Sequence, residues 1–521
     1  MTSSPVRVAV LAQDLIWSER LVRSVEGAGA IARRAASDAQ LDALLPDVGY
    51  LIVDLTARAY DPLAAIGRAR AAGVGVLAVG QHTDADQRKR ALASGADRVL
   101  AYRKLFEDGP ATVSAWIRRA GSEPAAASLA VPPASPAVPP AVPAIPAGSY
   151  RARLSRAVAQ AEAAGFAALL IGVGPDLRYL TGYEAMPLER LTMLVVVPGQ
   201  EPVIVVPRLE ARAASAGLRT SLPILTWDDT EDPYELVVDR IKSVCRAESV
   251  VAVSDTLWAS HVLRLQRGLD PATRLEVASS VLRILRMVKD DDEVALLTLA
   301  AHAADRVVAR IAAGPLVGRT EADVAREVRE LLVAEGHEAA EFAIVGSGPN
   351  SASPHHDASD RVIGPGEPVV LDIGGTLGGY GSDITRTLWV TGGDSTKGPD
   401  ERFRHLFGVL QSAQSTATRA VRPGIACEAV DAVARAPIDA EGYGEAFFHR
   451  TGHGIGLEGH EDPYLVSGND LALQAGMAFS VEPGIYLDGI YGARIEDIVV
   501  CGPDGPIVLN EAPRELNVVD G

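Results

Sequence analysis

The sequence predicts two α/β domains followed by an α+β domain. Its 521 residues are too many for one hydrophobic core and suggest three or four domains. Apolar runs alternate with helical patterns over residues 1–120 and 149–286, whereas residues 287–521 begin with helices and continue mainly in strands. Residues 121–148 are rich in proline and alanine, which predicts a semi-rigid spacer.

The composition excludes several classes of protein. With 67 acidic against 49 basic residues and a net charge of −18, a nucleic-acid or anionic-membrane partner is disfavoured. No segment approaches the roughly 20 apolar residues of a membrane span, and the N-terminal apolar run is too short for a signal peptide. Cys245, Cys427 and Cys501 are too few and too far apart for a disulfide framework. We therefore expect a soluble cytoplasmic protein.

The first domain, residues 1–120, is predicted to be a small doubly wound parallel sheet. Its predicted strands are VRVAVLA, YLIVDL, GVGVLAVG and DRVLAY. The helices predicted between them are SERLVRSVEGAG, DPLAAIGRARAAG and DADQRKRALASGA.

This first domain resembles a response-regulator receiver, with Asp54 at the phosphoacceptor position. A receiver also needs an acidic cluster after the first strand, but only Asp14 lies there. Gly80 stands where a hydroxyl is expected, and Tyr102 replaces the expected lysine, with Lys104 two residues late. The resemblance therefore implies a degenerate, receiver-like module that is not phosphorylated, with a working receiver as the alternative.

The second and third domains are predicted to meet near residue 287. Residues 149–286 open with the helix YRARLSRAVAQAEAAG and continue with the strands FAALLIGVG, TMLVVVPG and EPVIVVP. Residues 287–521 form the predicted α+β domain. The run LRMVKDDDEVALLTLAAHAADRVVARI is expected to begin one long helix at its start.

Five residues of the third domain have the composition of a two-metal site. Four carboxylates and one imidazole suit hard or borderline divalent cations such as manganese, cobalt or zinc. They are Asp372, Asp383, His453, Glu482 and Glu496.

The two aspartates are predicted to share one β-hairpin. Asp372 ends the strand EPVVLDIG, Asp383 lies in YGSDITRTLWV, and the glycines between them favour a tight reversal. An aspartate in an apolar strand is costly unless it is paired or bound to a cation. Turn capping is the alternative for each carboxylate. A phosphate loop is rejected because GGTLGGYG lacks the Gly-Lys-Ser/Thr ending and a following helix.

The remaining candidate ligands also lie in unusual segments. His449, His453 and His460 share HRTGHGIGLEGH, where the spacing of the first two matches a zincin helix, but the glycines disfavour a helix. Glu482 in FSVEPGIY and Glu496 in GARIED follow apolar strand patterns.

Residues 287–521 resemble the pita-bread metallopeptidases (family M24), which include aminopeptidase P, prolidase and methionine aminopeptidase. The ligand order Asp, Asp, His, Glu, Glu matches, and NSASPHH matches the upstream histidine motif at His355. Its neighbour His356 is expected to be a bystander. Residues 149–286 resemble the creatinase-type N-terminal domain through DLRYLTGY, although Asp176 stands where the family often has asparagine.

The resemblance implies a role for each metal ligand. Asp372 would chelate one metal, and Asp383 and Glu496 would bridge both. His453 and Glu482 would complete the coordination of the other metal. A water shared by two cations has a lowered pKa and supplies hydroxide near neutral pH.

Further residues are expected around these metals. Glu482 could pass a proton from the water to the leaving nitrogen. His355 and His460 would hold the substrate and its developing oxyanion. Arg494 would orient a metal carboxylate or a substrate terminus, and His449 would shape the pocket on the proline side. Structural packing is the alternative for all but Glu482.

The resemblance implies hydrolysis of Xaa-Pro peptide bonds by a homodimer or homotetramer with two divalent metals per subunit, manganese being favoured. The stretch GHGIGLEGHEDPYL favours a dipeptidase over an aminopeptidase. Two alternatives stay open. One is a creatinase-like hydrolase of non-peptide amides, and the other is a signalling or scaffold protein that acts through its first domain.

Overall fold

The computed structural model describes residues 142–245 and 248–521 and most of residues 6–117 (6–13, 15–57, 60–80, 88, 90–92, 94–101, 109–110, 112–114 and 116–117). The chain divides into two compact units, Met1–Ser135 and Pro136–Gly521. Asp14, Tyr102, Lys104 and most of the predicted spacer lie outside the described residues, as does part of the helix predicted for DADQRKRALASGA.

The N-terminal unit contains a five-stranded parallel sheet with the strand order β2-β1-β3-β4-β5. This strand order is compatible with the predicted doubly wound sheet. In chain order the elements are β1 (Arg7–Leu11), α1 (Leu15–Gly27), β2 (Ile31–Ala35), α2 (Asp38–Leu44), β3 (Tyr50–Asp54), α3 (Pro62–Ala71), β4 (Gly75–Gly80) and β5 (Arg98–Ala101).

Strand β2 and helix α2 are missing from the sequence prediction. Strand β2 lies at the edge of the sheet, where Arg33 and Arg34 are exposed, so its sequence IARRA has no continuous apolar run. Helix α2 has an N-cap, because the Ser37 side chain accepts a hydrogen bond from the backbone N–H of Gln40.

The second unit begins with a six-stranded mixed sheet of order β11-β10-β6-β7-β8-β9, with helices beside it. Its central strands β6, β7 and β8 are largely buried, which makes this an α/β domain, as predicted. The elements are α4 (Ala147–Ala163), β6 (Phe166–Gly172), α5 (Pro175–Thr181), β7 (Met193–Val196), β8 (Val203–Pro207), α6 (Ala211–Gly217), β9 (Ile224–Trp227), α7 (Pro233–Ile241), β10 (Val250–Val253), α8 (Ala259–Gly268), β11 (Arg274–Val277) and α9 (Ser279–Met287).

The rest of the second unit is α+β, as predicted. Helices α10 and α11 pack on the sheet β12-β13-β14-β22, which is followed by the sheets β16-β15-β17-β20-β21 and β18-β19. No helix among the described residues has the length and apolar character to cross a membrane. The elements are α10 (Asp291–Ala313), α11 (Glu321–Ala334), β12 (Ala339–Ser347), β13 (Glu367–Leu377), β14 (Tyr380–Val390), α12 (Glu401–Ala420), α13 (Cys427–Ala440), β15 (Gly452–Gly454), β16 (Glu461–Leu465), β17 (Ala478–Val481), β18 (Gly484–Leu487), β19 (Tyr491–Arg494), β20 (Asp497–Cys501), β21 (Pro506–Val508) and β22 (Asn517–Val519).

The prediction of one long helix that begins in residues 285–311 is wrong at its start. This stretch of sequence is divided between helices α9 and α10. Asp290 caps α10 and accepts a hydrogen bond from the Glu293 backbone N–H at 3.0 Å. The Glu293 carboxylate accepts one from the Asp290 N–H, also at 3.0 Å. This capping box begins a new helix. The Lys289 side chain just before it is buried and pairs with Glu461.

Candidate metal centre

The β13–β14 hairpin carries two of the predicted ligands. Its two-residue turn is Gly378-Gly379, with φ angles of 61° and 84°, a conformation that favours glycine. Asp372 pairs with Thr385, and Asp383 lies two pairs nearer the turn. Side chains alternate along a strand, so these three residues share one face of the hairpin. The predicted hairpin and its shared carboxylate face are confirmed.

The other predicted ligands converge on this face. His453 Nε2 lies 3.6 Å from Asp383 Oδ2 and 3.3 Å from Glu482 Oε1. Ligand atoms lie within 4.8 Å of one another in three overlapping groups, namely Asp383, His453 and His460; His453, Glu482 and Glu496; and Asp372, Asp383 and Glu496. These groups include all five residues predicted as metal ligands.

The carboxylates are too crowded to remain ionised together without a cation. Asp372, Asp383 and Glu496 are 7%, 4% and 2% exposed. Burial, and then the neighbouring acids, raise the pKa of Asp383 and of Glu496 well above their ordinary values. Burial also raises the pKa of Glu482, to about 7. Asp372 Oδ1 is buried without a hydrogen-bond partner among the described residues, an arrangement that a cation would compensate.

The histidine completes a donor set that fits two divalent cations. Burial, with the proximity of His460, lowers the pKa of His453 to about 3. The ring therefore stays neutral, which is the form that binds metals. Its Nδ1 lies 3.1 Å from the Gly454 carbonyl, and its Nε2 faces the carboxylates. Four carboxylates and one neutral imidazole suit hard or borderline ions.

Arg494 and Thr385 hold two of the carboxylates in place. Arg494 Nη2 pairs with Asp372, and Arg494 Nε donates to the Thr385 hydroxyl at 2.9 Å. That hydroxyl donates to Glu496 at 2.6 Å. Arg494 thus contacts Asp372, a carboxylate predicted to bind metal, which is one of the two contacts expected for it from the sequence. Thr385 was not predicted, although its position two residues after Asp383 puts it on the same strand face.

His453 lies in strand β15 and not in a helix, which agrees with the expectation that its neighbouring glycines disfavour a helix. The backbone N–H of His453 donates to Ser480 Oγ at 3.0 Å, and that hydroxyl donates to Glu482 at 3.1 Å. A Cβ at Gly452 would overlap the Ser480 carbonyl, so only glycine lets strands β15 and β17 approach this closely. Ser480 therefore links two of the predicted metal ligands, a role that the sequence did not suggest.

A cavity of about 570 Å³ opens onto these ligands. His449 lines it, and its Nε2 lies 3.0 Å from the Tyr486 hydroxyl, which also accepts a hydrogen bond from Arg494 at 2.8 Å. Burial lowers the pKa of His449 to about 4, so its ring is neutral. Phe448 lines the same wall. Tyr486 was missed from the sequence, although it follows Glu482 by four residues in the quoted stretch FSVEPGIY.

His355 and His460 are exposed residues that line this cavity. The centroids of the His460 and His453 rings are 3.7 Å apart, so His460 lies beside one of the predicted metal ligands. All the residues predicted as catalytic or substrate-binding therefore border the same cavity. Their individual roles stay proposals.

The segment that carries His355 is held by Glu321, which is fully buried. The Glu321 carboxylate accepts from the backbone N–H of Ser347 at 2.8 Å and of Ser359 at 3.1 Å. His356 Nε2 lies 2.7 Å from the same carboxylate. His356, which is expected from the sequence to be a bystander, instead helps to hold its own segment in place through this contact.

Comparisons with known proteins agree with this geometry. The model of the Creatinase/Prolidase N-terminal domain matches residues 153–288, and that of metallopeptidase family M24 matches residues 295–503. The probable dipeptidase PepE of Mycobacterium tuberculosis is 48% identical over 373 residues, which cover 71% of this chain and 96% of that protein. The chain belongs to metallopeptidase family M24. The predicted family and enzyme class are thereby confirmed.

Further relatives match the same part of this M24 protein. The Xaa-Pro dipeptidase of Lactobacillus helveticus is 35% identical over 345 residues, which cover 66% of this chain and 92% of that protein. The crystal structure of dipeptidase PepE from Mycobacterium ulcerans has 47% identity and a TM-score of 0.66, and the match covers 72% of this chain and 100% of that chain. The M24 match at residues 295–503 contains all five residues predicted as metal ligands.

Proposed function

We propose that this M24 metallopeptidase hydrolyses dipeptides with proline at the second position. The observation that carries the proposal is the convergence of five metal-ligating side chains at the end of an open cavity whose walls bear His355, His449 and His460. The names of the relatives, dipeptidase and Xaa-Pro dipeptidase, support the substrate class.

Two divalent cations, when bound, would supply the acidity that activates water and polarises the peptide carbonyl. We propose manganese, with cobalt and zinc as the alternatives to test. The ligands would be Asp372, Asp383, His453, Glu482 and Glu496.

The remaining chemistry is assigned to side chains at the cavity. Glu482 takes a proton from water and passes it to the proline nitrogen, which must be protonated to leave because it is tertiary. His355 and His460 donate hydrogen bonds to the developing oxyanion. Arg494 holds Asp372 in its orientation, and His449 and Phe448 flank the proline ring.

Arg450 supports a dipeptidase rather than an aminopeptidase. Its guanidinium lines the cavity and stacks 4.5 Å from the centre of the Tyr464 ring. Among the described residues it has no acidic partner within ion-pair distance. A guanidinium placed in this way can hold the free carboxylate of a two-residue substrate. Arg450→Ala should then raise KM for Ala-Pro more than for Ala-Pro amide. The exposed Arg402→Ala is the control, and equal effects on both substrates would reject this role.

A substrate panel tests the function. With manganese added, the purified enzyme should cleave Ala-Pro and leave Ala-Pro-Ala and Ala-Ala intact. Preferred cleavage of Ala-Pro-Ala would indicate an aminopeptidase, and cleavage of Ala-Ala at the same rate would reject the requirement for proline. Hydrolysis of small non-peptide amides that survives chelation would favour the creatinase-like alternative.

We also propose that the N-terminal unit is a degenerate receiver-like module that is not phosphorylated. Its parallel strand order supports the receiver likeness. Asp54 is buried, and its Oδ1 accepts hydrogen bonds from the Thr56 N–H and hydroxyl, both at 2.8 Å. Gly80 at the end of β4 offers no hydroxyl. Acetyl phosphate should leave Asp54 unlabelled, whereas labelling that is lost in Asp54→Ala would favour the signalling alternative.

The assembly, the location and the domain limits stay predictions. We propose a homodimer or homotetramer, which sedimentation equilibrium of the purified chain would test. Cytoplasmic residence and the domain boundaries at residues 120, 148 and 286 remain as predicted from the sequence.

A further inference from the structure

A second cavity, of about 390 Å³, lies apart from the metal ligands. Its walls come from α4, α5, the segment before α4 and the turn of the β13–β14 hairpin. A volume of this size is typical of sites for small molecules. Among the described residues that line it, every charged side chain is an arginine, namely Arg153, Arg178 and Arg219.

Arg153 is the buried cation of this cavity, with a side chain only 1% exposed. Its Nη2 donates to Asp290 at 2.8 Å and lies 3.4 Å from Glu293. Its Nη1 group has no hydrogen-bond partner among the described residues. Neither carboxylate lines the cavity. The position of Arg153 is therefore fixed by Asp290 and Glu293, which lie outside the cavity lining, and its Nη1 group is left as a donor for a ligand.

The other two arginines that line this cavity, Arg178 and Arg219, are more exposed than Arg153. The Arg219 backbone N–H donates to the Thr181 carbonyl at 2.8 Å, but its guanidinium has no partner among the residues that the structure describes. Arg178 pairs with Glu184 at 2.7 Å. Because the Glu184 side chain is 70% exposed, that pair is a weak surface interaction.

The hydroxyl of Tyr150 is a further unused donor. Tyr150 is 9% exposed and lines the cavity, and its hydroxyl has no hydrogen-bond partner in the described part of the chain. The Arg153 Cζ lies 5.4 Å from the centre of its ring. A Cβ at Gly182, where φ is 72°, would lie 3.0 Å from Tyr150 Cζ and would overlap Arg219. The glycine therefore allows Tyr150 and Arg219 to stand side by side.

We propose that this cavity binds a small organic anion, a carboxylate with a short apolar body and no ammonium group. The arginines and the Tyr150 hydroxyl would bind the carboxylate. The apolar wall would cover the rest of the ligand and is formed by Val142, Ile145, Leu296 and Leu457. An amino acid or dipeptide would bury an ammonium group without an acidic partner. The ligand therefore differs in class from the zwitterionic substrates and products proposed for the metal centre.

Calorimetric titration of the intact enzyme tests this site with defined probes. Hexanoate should bind saturably. Norleucine, which adds an ammonium group to the same carbon chain, should bind at least roughly tenfold more weakly, since an unpaired buried charge is costly. Inorganic phosphate, which has charge but no apolar body, should also bind more weakly than hexanoate.

Two variants locate the binding. Arg219→Ala and Tyr150→Phe should each weaken hexanoate binding roughly tenfold, because each removes a hydrogen-bond donor to a carboxylate. Arg212→Ala, an exposed arginine on α6, is the matched control and should leave binding unchanged. Retained turnover of Ala-Pro by Arg219→Ala would show that the variant is folded.

Three results would overturn the proposal. They are the absence of saturable hexanoate binding, equal affinity for hexanoate and norleucine, and equal hexanoate affinity in Arg219→Ala and Arg212→Ala. The last result would place the anion elsewhere, for instance at the metal ligands, which both variants retain.

Discussion

Replacing Glu321 by glutamine should loosen the segment that carries His355. The Glu321 carboxylate accepts hydrogen bonds from the Ser347 hydroxyl at 2.7 Å and the Ser359 hydroxyl at 2.6 Å, besides the backbone N–H groups of both residues. Glutamine has the same shape as glutamate, but an NH₂ group replaces one of the two carboxylate oxygens. That NH₂ group is a donor and would face the N–H and hydroxyl donors of Ser347 or Ser359. The charge is also lost from the first turn of α11, where the helix dipole favours an anion.

The pKa of Glu321 sets the expected magnitude. Burial alone would raise this pKa, but hydrogen bonds from Ser359, His356 and Ser347 outweigh burial and lower the pKa from 4.5 to about 2. Since one pKa unit corresponds to about 1.4 kcal/mol, the ionised carboxylate stabilises the folded state by about 3 kcal/mol. The pKa is depressed by folding, so this contribution is complete above about pH 4.5 and is lost as the pH falls towards 2.

Hydrogen exchange measured by mass spectrometry reports this change locally. Near neutral pH, the peptides covering residues 347–359 should exchange roughly 100-fold faster in Glu321→Gln, the equivalent of about 3 kcal/mol. The kcat/KM for Ala-Pro should also fall because His355 is less firmly held, while the metal content stays unchanged. Glu330→Gln, at an exposed position of the same helix, is the control. Equal exchange in the two variants would refute the reasoning.

Three further substitutions have defined outcomes. Asp383→Ala should abolish manganese-dependent cleavage of Ala-Pro and reduce the bound metal measured by mass spectrometry; undiminished turnover would contradict the metal centre. Arg494→Lys should lower kcat/KM roughly 10- to 100-fold, because an ammonium cannot make the several contacts of the guanidinium; wild-type kinetics would show that those contacts are dispensable. Lys289→Met should lower the Tm by removing a buried counter-charge of Glu461, a loss of about 3 kcal/mol. A Lys289→Met, Glu461→Gln double variant should recover part of that loss, and no recovery would argue against the pair.

The four carboxylates predicted as ligands could be singled out from the sequence because each lies in, or directly after, an apolar strand pattern. Asp372 and Asp383 flank a Gly-Gly turn, and a two-residue turn determines the register of its hairpin. Local sequence was therefore enough to place both carboxylates on one face. Glu482 directly follows strand β17, and Glu496 lies between strands β19 and β20. The cavity that surrounds them is formed by segments that are distant in the sequence. Its lining could therefore be predicted from the sequence only in part.

The role of Glu321 could not be read from the sequence. Its partners Ser347 and Ser359 lie 26 and 38 positions away, in a segment without a regular hydrophobic period. The break before α10 is a different case. Asp290 and Glu293 have the Asp-x-x-Glu spacing of a capping box, so the separation of α9 from α10 was readable from local sequence.

The charges that join the two halves of the second unit limit how the enzyme can be shortened. Glu293 and Glu461 are buried in the M24 part of the chain. Arg153 in α4 lies 3.4 Å from Glu293, and Arg286 at the end of α9 pairs with Glu461. A truncation that starts at residue 287 would remove both arginines, which leaves Glu293 without the Arg153 charge and leaves Glu461 with Lys289 as its remaining partner. Such a truncation should therefore be less stable than the intact second unit, and Glu293→Gln should recover part of the loss.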